Sequence, residues 1–370
     1  MTEKLKVGLI FGGRSGEHEI SLLSARSVMD ALDRSKYEVY EIGITHQGHW
    51  LSGPEVLKAF EQGQVEHLEA VTILAEPGMG KSYRWSEGRA LEMIHELDVV
   101  FPVLHGTYGE DGTMQGLLEL ADIAYVGAGV LASAVAMDKC LFKQVMRAND
   151  IRTVDWMLVL STELQDDMDE VISKAEEVAT YPLFTKPANL GSSVGISKCR
   201  NRSDLMEGMM EASRYDRRIL VEQGLETARE IEVSVLGNED PQASIAGEVV
   251  PGDEFYSYRA KYIDDTSELH IPALIDKEVE REAQWMAVEA FMAIDGAGMG
   301  RVDFLLDQET DVLYMNEINT IPGFTKISMY PKLWEASGLP YPALLDRLIE
   351  LAFMRQGQKE NLVRMYEDAS

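Results

Sequence analysis

The sequence predicts a mixed α/β and α+β chain, with a parallel α/β unit first and antiparallel strands with helices after it. Three stretches carry that expectation. Lys6 to Phe11 is an apolar run of strand length, followed by the glycine-rich turn Gly12, Gly13, Arg14, Ser15, Gly16 and a helix-like segment from Glu17 to Leu32. ILVEQGLE, REIEVSVLG and ASIAGEVV, at residues 219–226, 229–237 and 243–250, are strands in close succession. GRVDFLLD and DVLYMNEIN, at 300–307 and 311–319, meet at the polar DQETD and form a hairpin.

Taken in order, the first strand, glycine turn and helix make a βα unit whose helix N-terminus offers unpaired N–H groups to an anion. The spacing is GGxxG rather than GxGxxG, so a dinucleotide site has thin support. Glu19, in the first helical turn, either caps the helix or captures a substrate ammonium. Tyr37 to Ile44 is a second strand, and residues 46–93 read as irregular, with turns at Gly48, Gly53 and Pro77. Within them AEPGMGKS imitates a phosphate loop. Ala75 stands where that motif needs glycine and no helix follows, so a hairpin turn is expected. Leu97 to Leu104 is a third strand that delivers His105 to its C-terminal end, where ligands bind in open α/β sheets. A purely structural histidine fits the same position.

Residues 112–120 are helical, Ala124 to Gly129 is a short strand, and residues 130–148 read as one helix containing Met137, Asp138 and Lys139. After the strand VDWMLVL and a helix near 169–179, Phe184 and Lys186 share a strand face beside the loop Asn189 to Gly195. A glycine-rich loop next to a lysine suits a polyphosphate cover, or is a plain turn. Helix 203–213 precedes the antiparallel strands, in which Glu222 and Glu230 are either hydrogen-bond acceptors for a nucleotide or ordinary exposed acids. Residues 251–270 form a long loop of the kind used as a lid. Helix 276–294, the hairpin, a turn at Thr320 to Gly323 and helices at 330–337 and 343–354 complete the chain.

In the hairpin, pairing Arg301 with Asn319 puts Asp303 opposite Glu317, and alternation sets all four on one face. Two carboxylates, an amide and a guanidinium are costly to bury unless something charged completes them. Oxygen donors of this kind suit Mg²⁺ or Mn²⁺. The alternative is a solvent-facing hairpin with a salt bridge.

Composition narrows the class. Of 370 residues, 45% are apolar and 26% charged, an ordinary globular balance that suggests two or three domains. A net charge of −29 disfavours nucleic acid as a partner. Cys140 and Cys199 make no disulfide scaffold or CxxC pair. No apolar run approaches the ~20 residues that span a bilayer, and the N-terminus enters a strand, so no membrane and a cytoplasmic location are expected.

Seven stretches together resemble the D-alanine–D-alanine ligases of the ATP-grasp superfamily: GGRSGEHEISLLS (12–24), HGTYGEDGTMQGLLE (105–119), AMDK (136–139), TKPANLGSSVGISK (185–198), AKY (260–262), GRVDFLL (300–306) and NEINTIPGFTKISMYP (316–331). The resemblance implies an N-terminal α/β domain over residues 1–127 and a two-part ATP-grasp fold over 128–221 and 222–370, with 251–270 as lid. It implies ATP-driven joining of two D-alanines for peptidoglycan synthesis, two Mg²⁺ or Mn²⁺ ions, and a homodimer. By the family's pattern Asp303, Glu317 and Asn319 hold the metals; Lys139, Lys186 and Lys261 contact phosphates; Arg301 and the Gly323 N–H stabilise the oxyanion. Glu19 takes the first D-alanine's ammonium and forms a triad with Ser192 and Tyr262. His105 lies near that substrate, and Ser328 and Met329 meet the second D-alanine's carboxylate. Glu222 and Glu230 match adenine and ribose positions, with Phe184 and Phe255 against the ring. Gln223 stands where some members have lysine. The rival readings are a D-alanyl-D-lactate ligase, whose loop lacks the tyrosine of AKY, and a non-catalytic nucleotide-binding protein.

Overall fold

A computed structural model of the chain describes residues 3–77, 80–85, 91–191, 194–250, 268–325 and 327–363. Its first sheet has four parallel strands: β1 (Leu5–Gly12), β2 (Tyr37–Ile44), β7 (Val99–Pro102) and β8 (Ala124–Tyr125), in the order β2-β1-β7-β8. The β1 run is continuously apolar because both of its faces are covered. Val7, Leu9 and Phe11 pack with Leu22, Ala25 and Val28 of α1 (His18–Ala31). Ile10 joins Val100 and Leu104 against Met114 and Leu118 of α3 (Thr113–Leu120). Gly12 turns the chain at φ 87°, and a Cβ there would lie 2.3 Å from the Ile44 carbonyl. Only glycine fits.

The described residues of 46–93 are not irregular. They form β3 (Trp50–Ser52), α2 (Val56–Gln62), β4 (Glu69–Ile73), β5 (Lys81–Trp85) and β6 (Leu91–Glu96), an antiparallel extension from the edge of β2. These strands are short, and most of β6 is exposed, so they lack the apolar alternation that marks a strand in sequence. Ile73 pairs with Ser82, so Lys81 and Ser82 open a strand rather than a helix, which removes the phosphate-loop alternative for AEPGMGKS.

Two antiparallel sheets follow. The first runs β11-β10-β12-β9, from β9 (Trp156–Leu160), β10 (Leu183–Pro187), β11 (Ser197–Cys199) and β12 (Arg218–Gln223). Helices α6 (Ser161–Asp166), α7 (Met168–Ala175) and α8 (Arg202–Ser213) accompany it, with Ile172, Leu205 and Met209 in its core. The second runs β15-β14-β13-β16-β17, from β13 (Ala228–Gly237), β14 (Gln242–Val250), β15 (Glu268–His270), β16 (Gly298–Asp307) and β17 (Leu313–Asn319), and is backed by α9 (Lys277–Ala293).

The helix expected over 130–148 is two, α4 (Val130–Met137) and α5 (Lys139–Ala148). Asp138 is extended between them and caps α5, its Oδ1 accepting the Leu141 N–H at 2.9 Å. After α10 (Met329–Ala336), α11 (Tyr341–Glu360) returns to the first sheet. Its Leu344, Leu345 and Leu348 share a core with Phe101 and Val126, and Arg355 donates to the Gly127 carbonyl at 2.6 Å.

Candidate active site

The hairpin has the expected register, Arg301 opposite Asn319 and Asp303 opposite Glu317. Beyond Asp303 it slips by one residue, with Phe304 opposite Met315, so a bulge sits between Met315 and Glu317. On the other side β13 sets Glu232, buried, opposite Asp303. Arg301 forks onto Asp303 with both bonds at 2.7 Å, and its Nε lies 3.0 Å from Glu232 Oε2. Asn319 Nδ2 donates to Asp303 Oδ2 at 3.0 Å. Glu317 Oε2 lies 3.6 Å from Lys139 Nζ. Glu232, Asp303 and Glu317 thus face Arg301 and Lys139, three carboxylates against two cations. Asp303, Glu317 and Asn319 offer oxygen donors on one face of the hairpin, and Glu317 and Asn319 line an open cleft. This hard-donor set with excess negative charge fits Mg²⁺ or Mn²⁺.

Lysines form the next wall. The Asp138 break starts α5 at Lys139, whose N–H bonds the Ala188 carbonyl at 3.0 Å and whose Nζ donates to the Leu190 carbonyl at 2.7 Å. Arg218 holds Asp138 in turn, Nε to Oδ2 at 2.7 Å. On β10 and β12, Phe184, Lys186 and Glu222 share one face, Phe184 opposite Glu222. Lys186 Nζ lies 2.6 Å from Glu222 Oε1 and 6.0 Å from the Phe184 ring centroid. The second Glu222 oxygen lies 3.0 Å from Lys143 Nζ. Burial pushes the Glu222 carboxyl up, but Lys143 and Lys186 outweigh it and hold it at about 2. Burial likewise pulls Lys186 down, and Glu222 more than reverses that. Glu222 is therefore engaged at both oxygens rather than open as an acceptor.

At the other end of the cleft the acid is Glu17, not Glu19. Successive helical residues turn by about 100°, so these two point to opposite sides. Glu17, at the N-cap of α1, is buried and lines the cleft. Cβ atoms at Gly106 and Gly191 would lie 2.6 and 2.9 Å from its Oε2, so both glycines make room for it. Glu19 is 68% exposed, its Oε1 3.4 Å from His46 Nε2. Glu110 also lines the cleft, accepting the Gly106 N–H at 2.6 Å and the Ile321 N–H at 3.2 Å. Burial and then the charge of Glu17 push its carboxyl up to about 8.

His105 is buried, with Nδ1 3.0 Å from the Ile321 carbonyl and Nε2 2.9 Å from Ser24 Oγ. A carbonyl only accepts, so Nδ1 carries the proton and Nε2 accepts from the Ser24 hydroxyl. Burial pulls the imidazole below its ordinary range, consistent with the neutral form. Ser24 Oγ also accepts the Phe324 N–H at 3.3 Å. His105 therefore fastens the loop around the buried Gly323 to α1.

Ser328 precedes α10 and its Oγ accepts the Thr325 N–H at 3.0 Å. The Met329 side chain packs with Val249 and Leu333, so only its backbone can face a ligand. Glu230 lies on β13 opposite Leu305, near enough to raise Lys186. Gln223 Oε1 accepts the Asp155 N–H at 3.4 Å. Ser192, Phe255, Lys261 and Tyr262 lie outside the described residues, as do 251–267 of the expected lid. Four residues that the sequence reading passed over belong to the site: Glu17, Glu110, Lys143 and Glu232. Two carried a signal, Lys143 one turn after Lys139 and Glu232 two residues after Glu230 on one strand face.

The family model described as D-ala D-ala ligase N-terminus matches residues 6–128, and the one described as D-ala D-ala ligase C-terminus matches 145–350. A D-alanine--D-alanine ligase of Natranaerobius thermophilus is 48% identical over 359 residues, covering 97% of each chain. One from Thermoanaerobacter sp. is 50% identical over 362 residues, covering 96% of this chain and 99% of the relative. Among solved structures, the D-alanine-D-alanine ligase from Coxiella burnetii superposes with a TM-score of 0.84 at 38% identity, covering 98% of each chain. The VanG D-Ala:D-Ser ligase from Enterococcus faecalis gives 0.83 at 32%, covering 95% of this chain and 100% of that one. With both halves matched and near-half identity over almost its whole length, the chain belongs to the D-alanine–D-alanine ligase family.

Proposed function

We propose that this protein is an ATP-dependent ligase that joins two D-alanines, giving D-alanyl-D-alanine, ADP and phosphate for peptidoglycan precursor synthesis. One observation carries the reading: a single cleft is lined by the oxygen-donor hairpin, Lys139 and a buried carboxylate, Glu17. Lys186 stands beside it, and that set answers to phosphates, divalent cations and an ammonium. We take the domains as 1–127, 128–221 and 222–370, the enzyme as a cytoplasmic homodimer, and Mg²⁺ or Mn²⁺ as its metal. No described helix is long and apolar enough to cross a membrane.

A free carboxylate is a poor acceptor for an amine. Transfer of the γ-phosphoryl group of ATP to the first D-alanine's carboxylate gives an acyl phosphate and ADP; the second D-alanine's amine then attacks, and phosphate leaves. Most of the catalysis is positioning and charge stabilisation. Lys139 and Lys186 hold phosphates from one wall, and the family's pattern adds Lys261 to them. Asp303, Glu317 and Asn319 would hold the metals, which would supply positive charge against the phosphates. Arg301, anchored by Asp303 and Glu232, and the Gly323 N–H face the oxyanion of the tetrahedral species. We give Glu17, rather than Glu19, the first D-alanine's ammonium and the place beside Ser192 and Tyr262, because Glu17 lines the cleft and Glu19 does not. Ser328 and the Met329 backbone take the second carboxylate at the start of α10. Phe184, Phe255 and Glu230 contact the nucleoside.

The test is phosphate release from MgATP with and without D-alanine, with products separated afterwards. D-Alanine-dependent release yielding D-alanyl-D-alanine is expected, with D-serine or D-lactate poor second substrates. Preferential use of D-lactate would move the assignment to the depsipeptide-forming ligases, and nucleotide binding without turnover would overturn the enzyme reading.

A further inference from the structure

Lys143 has a side chain only 1% exposed, against 13% for Lys186, which shares its carboxylate partner. It lies one turn beyond Lys139 on α5, so both ammonium groups project from the same helix face. Lys139 lines the cleft, and Lys186, beside it, keeps 13% of its side chain exposed. Lys143 is beneath them, and the polar group it meets is Glu222, itself 3% exposed. A buried ammonium is expensive, and a methionine of similar length would fill the same volume without the charge. The charge therefore needs a purpose other than packing.

The arithmetic of the cluster supplies one. Glu222 alone beside Lys186 would be a closed, neutral pair, leaving Lys186 nothing to offer an anion. With Lys143 on the second oxygen, two cations share one carboxylate, and the group of three keeps a positive charge. Of the two cations, Lys186 is the one that keeps exposure, 13% of its side chain against 1% for Lys143. An ion pair at each oxygen also favours one orientation of the carboxylate, so Lys186 keeps a fixed partner beside the phosphate wall.

We propose that Lys143 is a positioning residue for nucleotide binding: by clamping one oxygen of Glu222 it keeps Lys186 directed at, and electrostatically available to, the polyphosphate. This rests on the ATP-dependent reading above, and wild-type turnover with MgATP tests that reading separately.

The experiment measures steady-state kinetics with ATP and D-alanine varied independently, for wild type, Lys143→Met, Glu222→Gln and the double variant, with thermal unfolding alongside. Lys143→Met is expected to raise the KM for ATP on the order of tenfold, as befits a buried charge that loses one of two partners. The KM for D-alanine should stay within about twofold. Because Lys143 acts through Glu222, the double variant should match Glu222→Gln alone in its KM for ATP rather than add to it. An unchanged KM for ATP in folded Lys143→Met overturns the proposal, and so do additive effects. If Lys143→Met does not fold, the double variant still decides. It removes both buried charges together, and a KM for ATP well above that of Glu222→Gln would show that Lys143 does not work through the carboxylate.

Discussion

Replacing Glu110 by glutamine should change how the stability of the ligand-free protein depends on pH, and the direction follows from its surroundings. In the folded chain burial and the neighbouring Glu17 raise its carboxyl to about 8. In the unfolded chain it titrates near an ordinary ~4.3. Between those values the unfolded state has released a proton that the folded state retains, so stability falls as pH rises through this window. The full shift at about 1.36 kcal/mol per unit would cost roughly 5 kcal/mol. Glu110 is only half-buried at the cleft wall, so water screens part of this, and about 1–3 kcal/mol is the working figure. Glutamine has one acceptor oxygen where Glu110 uses two, for the Gly106 and Ile321 N–H groups. The lost bond is a fixed penalty of about 1–3 kcal/mol and does not vary with pH. The readout is therefore a slope. Thermal unfolding of Glu110→Gln and wild type, compared from about pH 5 to about pH 8, should show the variant gaining on wild type by a few degrees, at roughly 1–2 °C per kcal/mol for a chain this long. Parallel curves across the range would refute the raised carboxyl and with it the picture of two acids crowded in one cleft.

Three further outcomes are expected. Glu17→Gln should raise the KM for D-alanine about tenfold or more, while Glu19→Gln, on the surface, should leave it within about twofold; the reverse result would return the ammonium role to Glu19. Glu317→Ala should leave a folded protein whose Mg²⁺-dependent turnover is lost, and near wild-type activity would remove the hairpin from the metal site. Asp138→Ala deletes the cap of α5 and the partner of Arg218. It should lower stability by about 1–2 kcal/mol and weaken ATP binding more than D-alanine binding, because Lys139 begins the helix that Asp138 caps. Equal effects on both substrates would make Asp138 a stability residue only.

The parallel strands and the hairpin were legible because burial on both faces, or on one, writes a period into the chain. Val7, Leu9 and Phe11 against Ile10 is a two-sided strand; Arg301 and Asp303 alternating with Val302 and Phe304 is a one-sided one. The edge strands at 50–96 were not legible, because they are short and much of their surface stays in water. The two-helix break at Asp138 was missed for another reason. Apolar periodicity runs through it, and the break is made by a cap that competes with the helix for one backbone turn.

In the site, the residues that could be read were those whose spacing repeats their geometry. The hairpin register put Arg301, Asp303, Glu317 and Asn319 on one face before any coordinates, and strand alternation joined Phe184 to Lys186. Choosing between Glu17 and Glu19 needed the direction in which α1 leaves the glycine turn. Both acids lie at one helix start, and only the packing of Gly106 and Gly191 shows which side faces the cleft. Glu222 was misjudged more deeply. As an acid on a strand it reads as a free acceptor, and its character is set by Lys143 and Lys186, which precede it by 79 and 36 positions and meet it only through the fold. A carboxylate's role depends on which charges the fold brings within about 4 Å. Patterns of period two or 3.6 carry no information about such long-range pairs, which is why the residues that tune this site are read last and its ligands first.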